Sequence, residues 1–139
     1  MKPSYWLLKS EPETYSFLTL LKEKKTNWNN VRNFQARNFL RTAKKGDFAL
    51  IYHSGKEKAV VGIAEVIREA YPDIDPDGGD WVQIDLKPIE ALPVPVTLSE
   101  IKSTPALAEI FLIRQSRLSC MPLTASHFQT LIRLGGKKK

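Results

Sequence analysis

A chain of 139 residues, 42% hydrophobic and 26% charged, is sized for one domain, burying roughly two-thirds of its unfolded surface and so holding a core without staples. Its lone cysteine, Cys120, excludes an internal disulfide, no Cys/His cluster has zinc spacing, and no apolar run approaches the ~20 residues of a membrane span. The net charge of +6 is unevenly spread: residues 22–45 set eight bases against Glu23, whereas residues 46–132 hold seven bases against twelve acids, an asymmetry that suits a phosphate backbone but also a plain solvated helix face.

Taken in chain order, Tyr5-Trp6-Leu7-Leu8 is short, apolar and partly aromatic, and predicts a buried strand ending in the polar turn Lys9-Ser10-Glu11-Pro12. Ser16 is a good helix cap, followed by Phe17, Leu20, Leu21 and Lys24 at helical spacing; Asn33 to Ala43 repeats the pattern. A loop holding Trp28 is expected between these two helices. Strands are expected at Phe48 to His53, Ala59 to Glu69 and Trp81 to Leu86, the last with Val82, Ile84 and Leu86 on one face. Turn chemistry at 54–56 and 73–79 makes an antiparallel meander the natural pairing. A short helix at Leu98 to Ser103, a turn at Ala106 to Ile110, a closing strand near Leu118 to Leu123 and a helix at Ala125 to Leu134 capped by Thr124 complete the body. The class is α+β: a curved or barrelled sheet of about five to six mostly antiparallel strands with surrounding helices. Residues 1–134 read as one domain and 135–139 as a disordered basic tail.

Several motifs dissolve on inspection. Asp73-x-Asp75-x-Asp77-Gly78 begins like a calcium loop, but its twelfth position is Ile84 and strands flank it. Ser54-Gly55-Lys56 lacks the upstream glycine of a phosphate loop. Lys9 and Ser10, adjacent on a strand, point to opposite faces and make a poor dyad. No metal or cofactor is expected. His53 could serve as a general base with a carboxylate such as Glu11, or as a hydrogen-bonding group at a pocket rim; no evident nucleophile accompanies it.

Three polar clusters combine donors, acceptors and aromatics: Trp6 to Pro12, Trp28 to Asn38, and Ile113 to Pro122. This is the inventory for holding a nucleobase, with rings to stack, amides and hydroxyls to read an edge, and arginines for phosphate. Core tryptophans with surface-paired arginines would give the same composition.

With Tyr52-His53-Ser54, these clusters resemble the EVE domain signature, whose segments look like W-L-x-K-S-E-P, G-V-R-N-Y-Q-A-R-N, Y-H-S and R-Q-S-R-L-S-V-x-P, in that order. Here they stand as Trp6 to Pro12, Asn30 to Asn38, Tyr52 to Ser54 and Arg114 to Pro122, with Asn30 for glycine, Phe34 for tyrosine and Cys120 for valine. The resemblance implies a PUA-like fold, a relation to the YTH domain, and a non-enzymatic module that senses a modified base in DNA or RNA, often cytosine altered at carbon 5. It also implies the stand-alone form, in a bacterial cytoplasm, or a nucleus if the chain is eukaryotic. On this reading a base flips into a pocket between the sheet and the Asn33 to Arg41 helix. Trp28 and Tyr52 are the expected stacking walls, supported by Trp6; Lys9, Ser10, Asn33, His53, Ser54 and Gln115 are candidates for edge contacts; Arg32, Arg37, Arg114 and Arg117 suit phosphate or the pocket mouth. The alternatives are a nucleic-acid-processing enzyme using His53 and a protein-interaction module with a basic face. No membrane partner is expected, and the sequence leaves the oligomeric state open.

Overall fold

The computed structural model describes residues 3–115 and 117–136. Residues 137–139 of the expected tail, and Ser116 in the Arg-Gln-Ser-Arg run, lie outside them. The elements run β1 (Tyr5–Ser10), α1 (Phe17–Glu23), β2 (Thr26–Trp28), α2 (Phe34–Thr42), β3 (Phe48–His53), β4 (Ala59–Pro72), β5 (Val82–Thr97), α3 (Leu98–Lys102), a 3-10 turn (Pro105–Leu107), α4 (Phe111–Arg114), β6 (Cys120–Leu123) and α5 (Ala125–Leu134). The strands form one sheet in the order β2-β5-β4-β3-β1-β6, so the class is the α+β one expected. β3, β4 and β5 make the antiparallel meander. The hydrogen-bonded order does not close into a barrel; β2 and β6 are its edges.

Local chemistry explains most boundaries. The Ser16 hydroxyl accepts the Thr19 N–H at the start of α1, and the Asn33 side chain accepts that of Ala36 at the start of α2. Thr97 and Thr124 form capping boxes with Glu100 and His127; each satisfies donors that a helix start leaves orphaned. Asn30, where the family pattern has glycine, has φ of 63°, and asparagine is among the few side chains that tolerate this left-handed region.

Two expectations are corrected. Trp28 is not in a loop but ends β2, where it pairs with Ile84 of β5. β5 excludes Trp81 and runs on to Thr97 through Pro88, Pro93 and Pro95. Prolines disfavour a central strand, but the β4–β5 ladder shifts register at several points, among them between Ile63 and Ala64, where Pro88 is paired. Such bulges release ladder donors, and a proline costs less there.

The core lies between the sheet and the helices, with Leu7 and Leu8 of β1, Leu50 and Ile51 of β3, and Leu20, Leu40 and Leu131 of the helices almost fully buried. At Gly62 the Phe17 ring lies so close that an added Cβ would stand 2.4 Å from its carbons. Gly62→Ala should therefore lose about 1–3 kcal/mol, the usual cost of overpacking, because Phe17 is buried and cannot swing away; an unchanged urea midpoint would show that the ring yields freely.

For function, the decisive pairing is β1 beside β3. They run parallel in register, Lys9 opposite Tyr52 and Ser10 opposite His53. Two motifs some forty residues apart thus end side by side at one sheet end. The intervening crossover carries α1, β2 and α2, as a parallel connection requires. No helix of the described residues is long and apolar enough to cross a membrane.

Candidate nucleic-acid interface

Where β1 ends, the chain, β2 and the loop after β2 enclose a cavity of about 460 Å³, lined by Lys9, Ser10, Tyr15, Trp28, Asn29 and Asn30 among others. That is within the size range of small-ligand sites. Thr14, Glu23, Thr26, Asn27, Val31 and Ser119 complete the lining. No lining residue of this cavity comes from α2, the helix beside which the base pocket was expected; the cavity sits at the β1–β2 end.

Its walls are held from behind. Trp28 is 8% exposed, and the Tyr15 ring stands edge-on to it at 6.3 Å and 88°. Ser10 Oγ donates to the Tyr15 carbonyl at 2.6 Å, fixing the loop, and Tyr15 Oη donates to Glu23 Oε1 at 2.6 Å. Burial, and then the Glu23 carboxylate, raise the Tyr15 pKa above the usual phenol value, so the hydroxyl stays protonated. The Lys9 ammonium lies 5.8 Å from the Tyr52 ring centroid, and burial draws its pKa down. The cavity therefore offers a cation, hydroxyls, amides and a carboxylate beside an indole: both donors and acceptors next to an apolar wall.

The expected site residues divide into four groups. Lys9, Ser10 and Trp28 line this cavity. Trp6, Tyr52 and His53 are buried and outside its lining: Trp6 Nε1 donates to Asp47 Oδ2 at 2.9 Å and its ring meets Phe39 of α2, and Tyr52 underlies Lys9. His53 Nε2 accepts the Phe17 N–H at 3.0 Å while Nδ1 contacts Glu57 Oε1 at 2.7 Å, so the ring ties the start of α1 to the end of β3. Ser54 donates its backbone N–H to the Ser10 carbonyl at 2.9 Å, joining the ends of β3 and β1.

Asn33, Arg114, Gln115 and Arg117 meet elsewhere, with Gln35 and Leu118, around a separate groove of about 340 Å³. Arg32 and Arg37 face the acidic loop between β4 and β5. Arg32 Nη1 is 3.0 Å from Asp73 and its Nε 2.9 Å from Asp75; Arg37 Nη1 is 2.6 Å from Asp80, and Arg41 Nη2 reaches the same carboxylate at 2.5 Å. The Arg41 hydrogen bond, aided by the charges of Arg37 and Arg41, holds the Asp80 carboxyl below its usual pKa. Trp81 stacks on Phe34 at 5.3 Å and 18°, with the Arg32 and Arg37 guanidinium groups over its ring.

Sequence reading missed Tyr15, Glu23, Asn29, Asn30 and Ser119 as lining residues. The Trp-Asn-Asn run was a usable signal for Asn29 and Asn30; Tyr15 and Glu23 carried none, since only the fold of α1 brings them to the cavity. Burial pushes the Cys120 thiol pKa well up, as befits a small apolar core residue.

Comparison with known proteins gives this geometry relatives. A family model described as the EVE domain matches residues 4–134. Human thymocyte nuclear protein 1 is 34% identical over 97% of this chain and 75% of its own length. A hypothetical protein from Leishmania major superposes with a TM-score of 0.93 at 38% identity, covering 97% of this chain and 96% of that one. The human THYN1 protein in complex with 5-methylcytosine-containing DNA superposes with a TM-score of 0.88 at 32% identity, covering 98% of this chain and 99% of that one.

Proposed function

Because the chain belongs to the EVE domain family, we propose that it is a non-enzymatic module that binds nucleic acid and takes one modified base, most simply a carbon-5-modified cytosine in DNA or a modified base in RNA, into the cavity around Trp28. The observation that carries the reading is the cavity itself: an indole wall beside a ring of donors and acceptors, in a fold whose human relative was solved with 5-methylcytosine-containing DNA.

Flipping a base out of its stack costs a few kcal/mol, and stacking on an aromatic returns ~1–3 kcal/mol. Edge contacts must make up the balance. Lys9, Asn29 and Asn30 suit a carbonyl or ring nitrogen, while the Ser10 hydroxyl, whose proton goes to the Tyr15 carbonyl, is left to accept. Glu23, also in the lining, suits an exocyclic amine, the pairing by which an acidic side chain reads cytosine N4. A base carrying both a carbonyl and an amino group fits this set better than one with carbonyls alone. The enzymatic alternative needs His53 free to move a proton, and its Nε2 already accepts the Phe17 N–H.

Equilibrium binding to matched DNA and RNA oligonucleotides carrying cytosine, carbon-5-modified cytosines or methylated adenine, at two salt concentrations, tests the reading. The expected result is preference for one modified base that persists at the higher salt. Weak binding, equal across the panel and lost with salt, would leave only nonspecific charge attraction and overturn the base pocket.

A further inference from the structure

We infer that the groove lined by Asn33, Gln35, Arg114, Gln115, Arg117 and Leu118 is a phosphodiester subsite, holding the backbone of the nucleotide next to the one in the Trp28 cavity. The inference rests on the nucleic-acid reading and deepens it.

Continuity is the first argument. The cavity lining includes Val31 and Ser119, and the groove lining includes Asn33 and Leu118. On two separate stretches of chain the hollows are one or two residues apart, and two residues span at most ~7 Å. A strand with one base in the cavity passes into the groove at its next step.

The second argument is donor chemistry. The six lining residues include two guanidinium groups and three amides and no carboxylate. Arg117 is exposed and has no ion-pair partner among the described residues. Arg114 pairs with Glu109 at 2.6 Å, but the two side chains are 62% and 76% exposed. Exposed pairs of this kind are worth little and exchange readily for another anion. Arginine forks match phosphate oxygens geometrically as well as by charge.

The third argument is what the other arginines do. The basic stretch 22–45 is the obvious phosphate track on charge alone. Folded, its three arginines are matched by Asp73, Asp75 and Asp80, with Asp77 in the same loop. A phosphate arriving at that face meets as many carboxylates as guanidinium groups and must displace one to bind. Those arginines fasten α2 to the β4–β5 loop, and the groove carries the strand.

The test compares the full chain with Arg114→Gln/Arg117→Gln and with Arg37→Gln, on single-stranded DNA and RNA of one sequence containing 5-methylcytosine, across a salt series. Each phosphate contact contributes about 0.7 to the slope of log affinity against log salt for a single strand. The double variant should lower that slope by about 0.7 to 1.4 and weaken binding evenly for modified and unmodified cytosine, and lysine at both positions should restore much of the slope. Arg37→Gln should leave it unchanged. If the oligonucleotide that loses slope is RNA alone, or DNA alone, that names the polymer the groove takes. An unchanged slope in the double variant, or a loss of slope in Arg37→Gln instead, overturns the groove while leaving the base pocket standing; failure of the unsubstituted protein to bind either polymer overturns both.

Discussion

Asp47→Ala should lose about 2–4 kcal/mol of folding stability, because it removes hydrogen bonds to a charged acceptor and leaves a buried donor unpaired, each worth about 1–3 kcal/mol. Asp47 is 4% exposed and its carboxylate receives three N–H donors: Ser4 backbone at 2.9 Å on Oδ1, and Trp6 Nε1 at 2.9 Å and Lys44 backbone at 2.8 Å on Oδ2. None of the described ion pairs includes it, so these dipoles are what compensate its desolvation. Hydrogen bonds to a charged acceptor contribute about 1.5–3 kcal/mol each, and a buried donor left without one costs a further penalty. Ser4 and Lys44 are exposed residues whose bonds to Asp47 are only partly buried, whereas Trp6 is 6% exposed and its indole N–H has no such access to water. Asn should fall between, since an amide oxygen can still accept while its NH₂ faces another donor. Urea denaturation reads the difference directly. For a domain whose whole stability is ~5–15 kcal/mol, the Ala variant approaches the margin; a loss under ~1 kcal/mol would mean that water enters and replaces the carboxylate.

That residue also shows what sequence could and could not reveal. Asp47 follows Gly46 in the turn before β3 and carries no motif; the Lys44 N–H is local to that turn, but Ser4 and Trp6 come from the start of the chain, and only the fold brings them to the carboxylate. The meander was legible because β3, β4 and the start of β5 alternate or run apolar between turn residues. The length of β5 was not, because its prolines signal an ending that the bulges cancel. The charge count is qualified by the fold for a related reason, at three of its eight bases. Composition sums the arginines of 22–45 without seeing that the acids of 73–80 return to face them. The motifs fared differently from one another. Lys9, Ser10 and Trp28 meet at one cavity, while Tyr52 and His53, from an equally conspicuous tripeptide, are buried outside its lining. A motif marks residues the fold needs together; which of them face a ligand depends on the alternation of a strand whose register the sequence does not state.

Trp28→Ala should have two effects that can be measured apart. The side chain is 8% exposed, and truncating a buried tryptophan removes about 3–5 kcal/mol of stability through lost transfer energy and the cavity left behind. On the binding side, a stacking wall is worth ~1–3 kcal/mol per base, and the small accessible part of this ring puts the expectation near the lower end, roughly a five- to tenfold loss of affinity for the preferred modified base. Binding must therefore be measured at low temperature on material whose folded fraction is confirmed by circular dichroism. Trp28→Phe separates the causes: it keeps an aromatic wall and most of the packing, so it should retain most of the affinity. Tyr52→Ala offers the complementary case, because Tyr52 is buried beneath Lys9 and reaches the cavity only through that side chain; it should cost stability while changing base preference less than Trp28→Ala does. The salt slope supplies the last discrimination. Stacking involves no counterion release, so folded Trp28→Ala should bind more weakly with the slope of the parent protein, whereas the groove variants should lose slope without losing preference. If folded Trp28→Ala discriminates modified from unmodified bases as well as the parent does, the indole is a core residue that happens to border a hollow, and the base is read elsewhere.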